Sequence, residues 1–319
     1  MNSLTKIGAF GTALAATFAA AYGVGTAVSP VDTAPEQAAH ASSGHGGGAD
    51  RKAAAAPETP GGLQIAADGY ALDLETPRVR AGEKTGLRFV IRDADGRPVT
   101  DYRREHEKEL HLIVASRDLT TYRHLHPVRA ADGTWSTTTT LPEPGGYRVL
   151  ADFTPAAGRD GLTLGADLAV SGAYAPAALP PASTTATVDG YTVELDGELT
   201  AGRESDLTFT VRRDGRPVTT LQPYLGAYGH LVALRSGDLA YLHVHPHEEA
   251  HGAATSGPGV AFASTAPSGG GYRLFLDFKV DGEVHTAAFT VHVGGGDRTH
   301  EDQTHEEEGA PGSAHGHGD

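Results

Sequence analysis

The chain repeats itself. "DGYALDL" (Asp68 to Leu74) returns as "DGYTVEL" (Asp189 to Leu195). "AGEKTGLRFVIRDADGRPVT" (Ala81 to Thr100) returns as "AGRESDLTFTVRRDGRPVT" (Ala201 to Thr219), and "GGYRVLADF" (Gly145 to Phe153) as "GGYRLFLDF" (Gly270 to Phe278). Order and spacing are kept, apart from one deletion and a longer loop in the second copy. Such a duplication predicts two units of one fold, joined in tandem. Their expected bounds are 61–172 and 185–294, with a linker at 173–184 that includes "PAALPP".

Each copy reads as β. Short runs of Val, Leu, Thr, Tyr and Phe alternate with polar residues between Gly, Pro and Asp turns. "RFVIRDADGRPV" is a hairpin signal with Asp95-Gly96 at its turn. In "YRLFLDF", Tyr272, Leu274, Leu276 and Phe278 share one face, and Arg273 and Asp277 the other. Seven or eight strands in roughly 110 residues predict an antiparallel β-sandwich of immunoglobulin-like or cupredoxin-like type. The expected core uses matched positions: Leu87, Phe89, Val149 and Phe153 in one copy, Leu207, Phe209, Leu274 and Phe278 in the other.

Outside the repeats, the chain opens with Lys6 and then an Ala/Gly-rich apolar run, Ile7 to Val28, with no charge before Asp32. This reads as a hydrophobic helix over 1–28, either a signal peptide ending near Gly25-Thr26-Ala27 or a single-pass anchor. Both place the body of the protein outside the cytoplasm, secreted or anchored to the cell membrane. Residues 29–60 are Ala, Pro, Gly and Ser with scattered charges, and read as a disordered tether. Residues 295–319 read as a disordered acidic tail with His300, His305, His315 and His317.

Composition narrows the chemistry. There is no cysteine and one methionine in 319 residues, so thiolate, disulfide and thioether sites are excluded. The net charge of −15 disfavours nucleic acid and anionic membrane surfaces as partners and favours cations. Histidine, at 17, is what remains for metal binding.

Three histidines recur in register. "LHLIVASRDLTTYRHLHP" holds His111, His124 and His126; "GHLVALRSGDLAYLHVHP" holds His230, His243 and His245, each 119 positions on. In a strand, residues i and i+2 point to one face about 7 Å apart. An HxH pair can therefore face one ion, with the leading histidine on the antiparallel neighbour. The expectation is one three-imidazole site per repeat, holding Cu(II) or Zn(II). The plain alternative is a set of histidines that hydrogen-bond across a sandwich edge.

Other positions read more simply. Asp152 and Asp277, four residues after Arg148 and Arg273, suggest a salt bridge on the solvent face, or an orienting partner for a ligand histidine, with the salt bridge the plainer reading. Tyr122 and Tyr241 share the face of each HxH and suggest packing. His106 is matched by Leu225 and is not counted as a ligand. His247 and His251 follow only the second HxHP and extend that site or belong to its loop.

At the two HxHP stretches the chain resembles exported bacterial proteins with a histidine-led strand, an Asp-Leu turn and an aromatic-x-His-x-His-Pro strand. It is similar to the YtkA-like and CopC-like β-sandwiches associated with copper outside the cytoplasm. The Ala- and Gly-rich composition also resembles secreted actinobacterial proteins. The resemblance implies metal ligands at His111, His124, His126, His230, His243 and His245. It departs from the CopC pattern, which uses the mature N-terminal amine, because a tether stands in that place here.

The leading functional expectation is a binding protein, not an enzyme, that buffers an ion or hands it to a delivery partner. The alternative is a structural or adhesion module with no metal. Enzymes rank lower. A three-His zinc hydrolase lacks a duplicated general base. A cupin reading of Gly237, His243, His245 and Glu249 lacks its second motif.

Overall fold

The computed structural model describes Thr17 and residues 59–158, 160–242, 244–248, 250 and 255–294. The N-terminal helix, most of the tether, and the tail lie outside these residues. Among the described residues no helix is long and apolar enough to cross a membrane.

Each repeat forms two facing sheets. In the first repeat one sheet orders the strands Ala66–Ala67, Tyr70–Leu74, Lys84–Arg92, Thr134–Thr140 and Val128–Arg129. The other orders Arg78–Arg80, Leu162–Ser171, Gly145–Pro155, Leu110–Ser116 and Tyr122–Leu125, with Tyr102–Arg103 also on Gly145–Pro155. The second repeat matches it. Its first sheet runs Thr185–Val188, Tyr191–Asp196, Glu204–Arg213, Gly259–Thr265 and Val244–Pro246, with Arg216–Pro217 also on Glu204–Arg213. Its second runs Tyr241–Leu242, His230–Arg235, Gly270–Val280 and Glu283–Val293. The molecule is all-β, two tandem sandwiches of immunoglobulin-like kind. One pairing departs from the antiparallel expectation: Arg78–Arg80 runs parallel to Ala169–Ser171. The Asp95-Gly96 hairpin forms as expected, with the Val99 N–H on the Ile91 carbonyl at 2.8 Å and Gly96 at φ +76°.

Strand parity assigns the faces. Leu110, Leu112 and Val114 join Val149, Ala151 and Phe153 in the core of the first sandwich, with Leu87 and Phe89 opposite. Leu231 and Ala233 join Leu274, Leu276 and Phe278 in the second, with Leu207 and Phe209 opposite. All eight expected core positions are buried.

The other face of these sheets is also covered. Both repeats fall in one compact unit. Between the two sandwiches lies a third core of Ile113, Ala115, Leu119, Tyr122, Leu150, Val232, Leu234, Leu239, Tyr241 and Phe275. Its members pair by repeat position: Ile113 with Val232, Ala115 with Leu234, Leu119 with Leu239, Tyr122 with Tyr241, and Leu150 with Phe275. A surface that packs against its own copy is self-complementary, as in a two-fold dimer. Tyr122 stacks on Phe275, with ring centroids 4.0 Å apart and planes 7° apart. Such a pair adds about 0.5–1.5 kcal/mol beyond its buried area.

A strap at the start of the first repeat, Gly61 to Gln64, crosses this joint. The Gly62 N–H donates to the Thr163 carbonyl, the Gly165 N–H to the Gln64 carbonyl, and the Tyr241 N–H to the Gly61 carbonyl. Arg148 holds the strap from below, donating to the Gly62 carbonyl at 2.9 Å and the Leu63 carbonyl at 2.8 Å. Its carboxylate partner is Asp167 at 2.9 Å, not Asp152 as the spacing suggested.

Candidate metal centre

The inter-repeat face ends in histidines. His111 sits on Leu110–Ser116 with the parity of Ile113, and points into the joint rather than into its own core. His230 has the equivalent place on His230–Arg235. Each lies opposite an aspartate in its sheet, His111 against Asp152 and His230 against Asp277. His124 shares the parity of Tyr122, so it enters the joint too.

The geometry differs from one site per repeat. Nitrogens of His111, His124 and His230 all lie within 4.8 Å of one another. The set therefore draws two members from the first repeat and one from the second. His111 and His230 stack with centroids 5.4 Å apart, and His124 lies 4.7 Å from His230. His126 stands beside them, 4.8 Å from His124 and 5.3 Å from His111 between centroids, but is not one of the three whose nitrogens converge. The second expected set is described only in part, because His243 lies outside the described residues; among those described, its other two members do not gather with each other. His230 has joined the first repeat's histidines. His245 is exposed on Val244–Pro246, a strand of the other sheet of its repeat, where it lines a cleft with His106, His111 and Asp152 but is not among the gathered nitrogens. His243 and His251 lie outside the described residues. His247 is a loop residue, 3.1 Å from Asp206.

Hydrogen bonds fix the tautomers. His111 Nε2 lies 3.1 Å from the Glu105 carbonyl, which can only accept, so the proton of that ring is on Nε2. His124 Nδ1 lies 2.9 Å from Asp277 Oδ2, and side chains of this pair are only 3% and 2% exposed. The carboxylate accepts from His124 Nδ1. Asp277 Oδ1 in turn accepts from the Thr286 hydroxyl at 2.6 Å. Both rings thus spend their protons outward. The inward atoms, His111 Nδ1 and His124 Nε2, face each other at 3.1 Å. Two imidazole lone pairs at that distance repel unless a proton or a cation lies with them. A carboxylate or carbonyl behind the distal nitrogen is the usual support of a metal-bound imidazole.

The surroundings favour the neutral form of His111, His126 and His230. Burial, then the charge of His124, pushes His111 down to about 3. Burial, His124 and Lys108 push His126 down to about 4. His230 is held well below the imidazole range by burial first, then by His124 and His111. Neutral imidazole is the form that ligates. Tyr224 closes one side, 6.5 Å from His124 and 6.2 Å from His126 between centroids. Burial pushes its hydroxyl up to about 12.

One member is missed by the sequence and one is paired differently from its plainer reading. His106, set aside because Leu225 matches it, lies 5.6 Å from the His230 ring and 6.1 Å from that of His111. It sits in a tight turn, Glu105 to Lys108, where His106 and Glu107 take φ of +49° and +66°. The second repeat makes the same turn with Leu225 and Gly226 at +57° and +79°. The signal was a non-glycine pair held where glycine is favoured, which often marks a functional position. Asp277 is not a solvent-face partner of Arg273 but takes the other role its position allows, orienting a histidine, and the histidine is His124 of the other repeat.

The chain belongs to the family described as a domain of unknown function, DUF8832, which it matches twice, at residues 65–163 and 186–295. No curated protein sequence matches it significantly. Among solved structures it is similar to the Escherichia coli adhesin FdeC, at 18% identity over 71% of this chain and 64% of that one, with a TM-score of 0.23. It is similar to Salmonella alpha-2-macroglobulin at 16% identity, over 74% of this chain and 15% of that one, with a TM-score of 0.26. Yersinia pseudotuberculosis InvD gives 15% identity over 72% and 59%, with a TM-score of 0.23. The chain spans less than two thirds of each of these structures.

Proposed function

We propose that the protein captures one divalent ion, Cu(II) or Zn(II), between its repeats, with His111, His124 and His230 as ligands. It acts outside the cytoplasm, where the apolar run after Lys6 would direct it, in metal buffering or handover. The observation that carries this reading is the inward pair of ring nitrogens, His111 Nδ1 and His124 Nε2 at 3.1 Å, with both outward nitrogens engaged. All-nitrogen donors suit Cu(II) and Zn(II). Asp277 supplies a negative charge behind His124.

A second reading has its own support. The apolar joint and the Tyr122–Phe275 stack hold the repeats together without an ion, as a structural or adhesion module would require. The two separate by stoichiometry. Full-length untagged protein, dialysed against a chelator that strips weak sites, should retain one ion per chain. His230→Ala and His124→Ala should each lose it, and His245→Ala should keep it. Retention of the ion by both His230→Ala and His124→Ala would refute the composite site, and no retained ion in the parent would favour the structural reading.

A further inference from the structure

We infer that His126 is the fourth ligand, so that the ion sits in a closed shell of four imidazoles and holds no exchangeable water. This rests on the metal reading above and specifies the coordination within it. His126 Nε2 is buried and has no hydrogen-bond partner. A buried polar nitrogen left unpaired costs about 1–3 kcal/mol, so its retention calls for a cause. The ring stands 4.8 Å from His124 and 5.3 Å from His111, between the triad and Tyr224 at 6.2 Å. It follows His124 by two residues at the end of Tyr122–Leu125, with Pro127 fixing the backbone just beyond. A modest swing of the ring brings a nitrogen to the position that three ligands leave empty. His106 is the competing candidate, but it contacts the other side, against His230 and His111. Closed four-coordinate nitrogen sites retain their metal, whereas reactive zinc sites keep one position for water. The inference therefore assigns the centre to holding an ion rather than to hydrolysis.

Cobalt(II) tests this, because four-coordinate cobalt absorbs visible light far more strongly than six-coordinate cobalt on loose surface histidines. Full-length protein receives one equivalent of Co(II), and azide is then added. The parent should show intense bands that azide leaves unchanged. His126→Ala and the bulkier His126→Gln should keep bands at shifted wavelengths that azide shifts further. His106→Ala should behave as the parent does. An azide response in the parent, an inert His126→Ala, or an opened shell in His106→Ala would each overturn the assignment of His126. Absence of intense bands in the parent would remove the metal reading itself, and this inference with it.

Discussion

His124 occupies the centre of a relay, with a nitrogen toward His111 and a carboxylate behind it. The identity of that carboxylate sets which nitrogen carries the proton, and this gives a sharp substitution. In Asp277→Asn the Thr286 hydroxyl, now donating at 2.6 Å, holds the amide oxygen. The amide N–H₂ then faces His124 Nδ1 and donates to it. The His124 proton moves to Nε2, where it satisfies His111 Nδ1. The hydrogen bonds close without an ion, and the inward lone pair is gone. Ion affinity should fall about 10–100-fold, the usual effect of losing an outer-shell partner. Stability of the metal-free protein should fall by about 1–3 kcal/mol, the cost of the second amide N–H, which has no acceptor in this buried place. Competition with a chelator and urea denaturation measure the two quantities; an unchanged affinity would dissociate Asp277 from the site. At this scale the histidines were legible in the sequence and their partners were not. The HxHP repeat marks His124 and His126, but no spacing rule pairs residue 124 with residue 277 in another repeat.

At the scale of strands, the sequence carried a signal of double burial. Every residue of Leu110–Ser116, "LHLIVAS", is buried. Such continuous apolar runs belong to strands covered on both faces, whereas one-sided strands alternate. The repeats, read one at a time, supply one core each and leave the second cover unassigned. The copies also differ where the strap passes. Leu150 pairs with Gly165 across the sheet, and Phe275 pairs with Ala288 at the equivalent place. A methyl group on Gly165 would lie 2.0 Å from the Gly62 carbonyl and 2.7 Å from Arg148 Nε. Both neighbours are held, one by the backbone and one by its own hydrogen bonds, so neither can yield cheaply. Gly165→Ala should therefore expel the strap and destabilise by about 1–3 kcal/mol, as overpacking does. Proteolysis near Gly61–Gln64 should accelerate with it. Ala288→Gly, where no strap crosses, should cost less than about 1 kcal/mol. Equal effects at the two positions would show that the strap contributes nothing to stability.

At the scale of the whole molecule, buried neutral histidines make the union of the repeats sensitive to acid, and the sign follows from linkage. His111 falls to about 3 and His126 to about 4 in the folded protein, and His230 lies well below its ordinary value, all chiefly through burial. In the unfolded chain each titrates near 6.5. Below that value the unfolded state binds protons that the folded state refuses, so stability is full above about pH 7 and falls as pH drops toward the folded values. Each ring that stays fully neutral contributes a slope of about 1.4 kcal/mol per pH unit in this window. The described carboxyls with lowered values, Asp118, Asp132, Asp167 and Asp238, start from 3.8 and weaken the fold only below it. The interval from about pH 6.5 to 4 thus belongs to the histidines. Metal-stripped protein should lose denaturation midpoint steadily across that interval, and bound ion should raise the midpoint at each pH, because it binds the folded state alone. His230→Ala removes one of the refused protons and should flatten the slope by about one proton. A midpoint independent of pH between 6.5 and 4 would mean that the rings charge without unfolding the joint, so that the repeats part at the histidines while each sandwich stays intact.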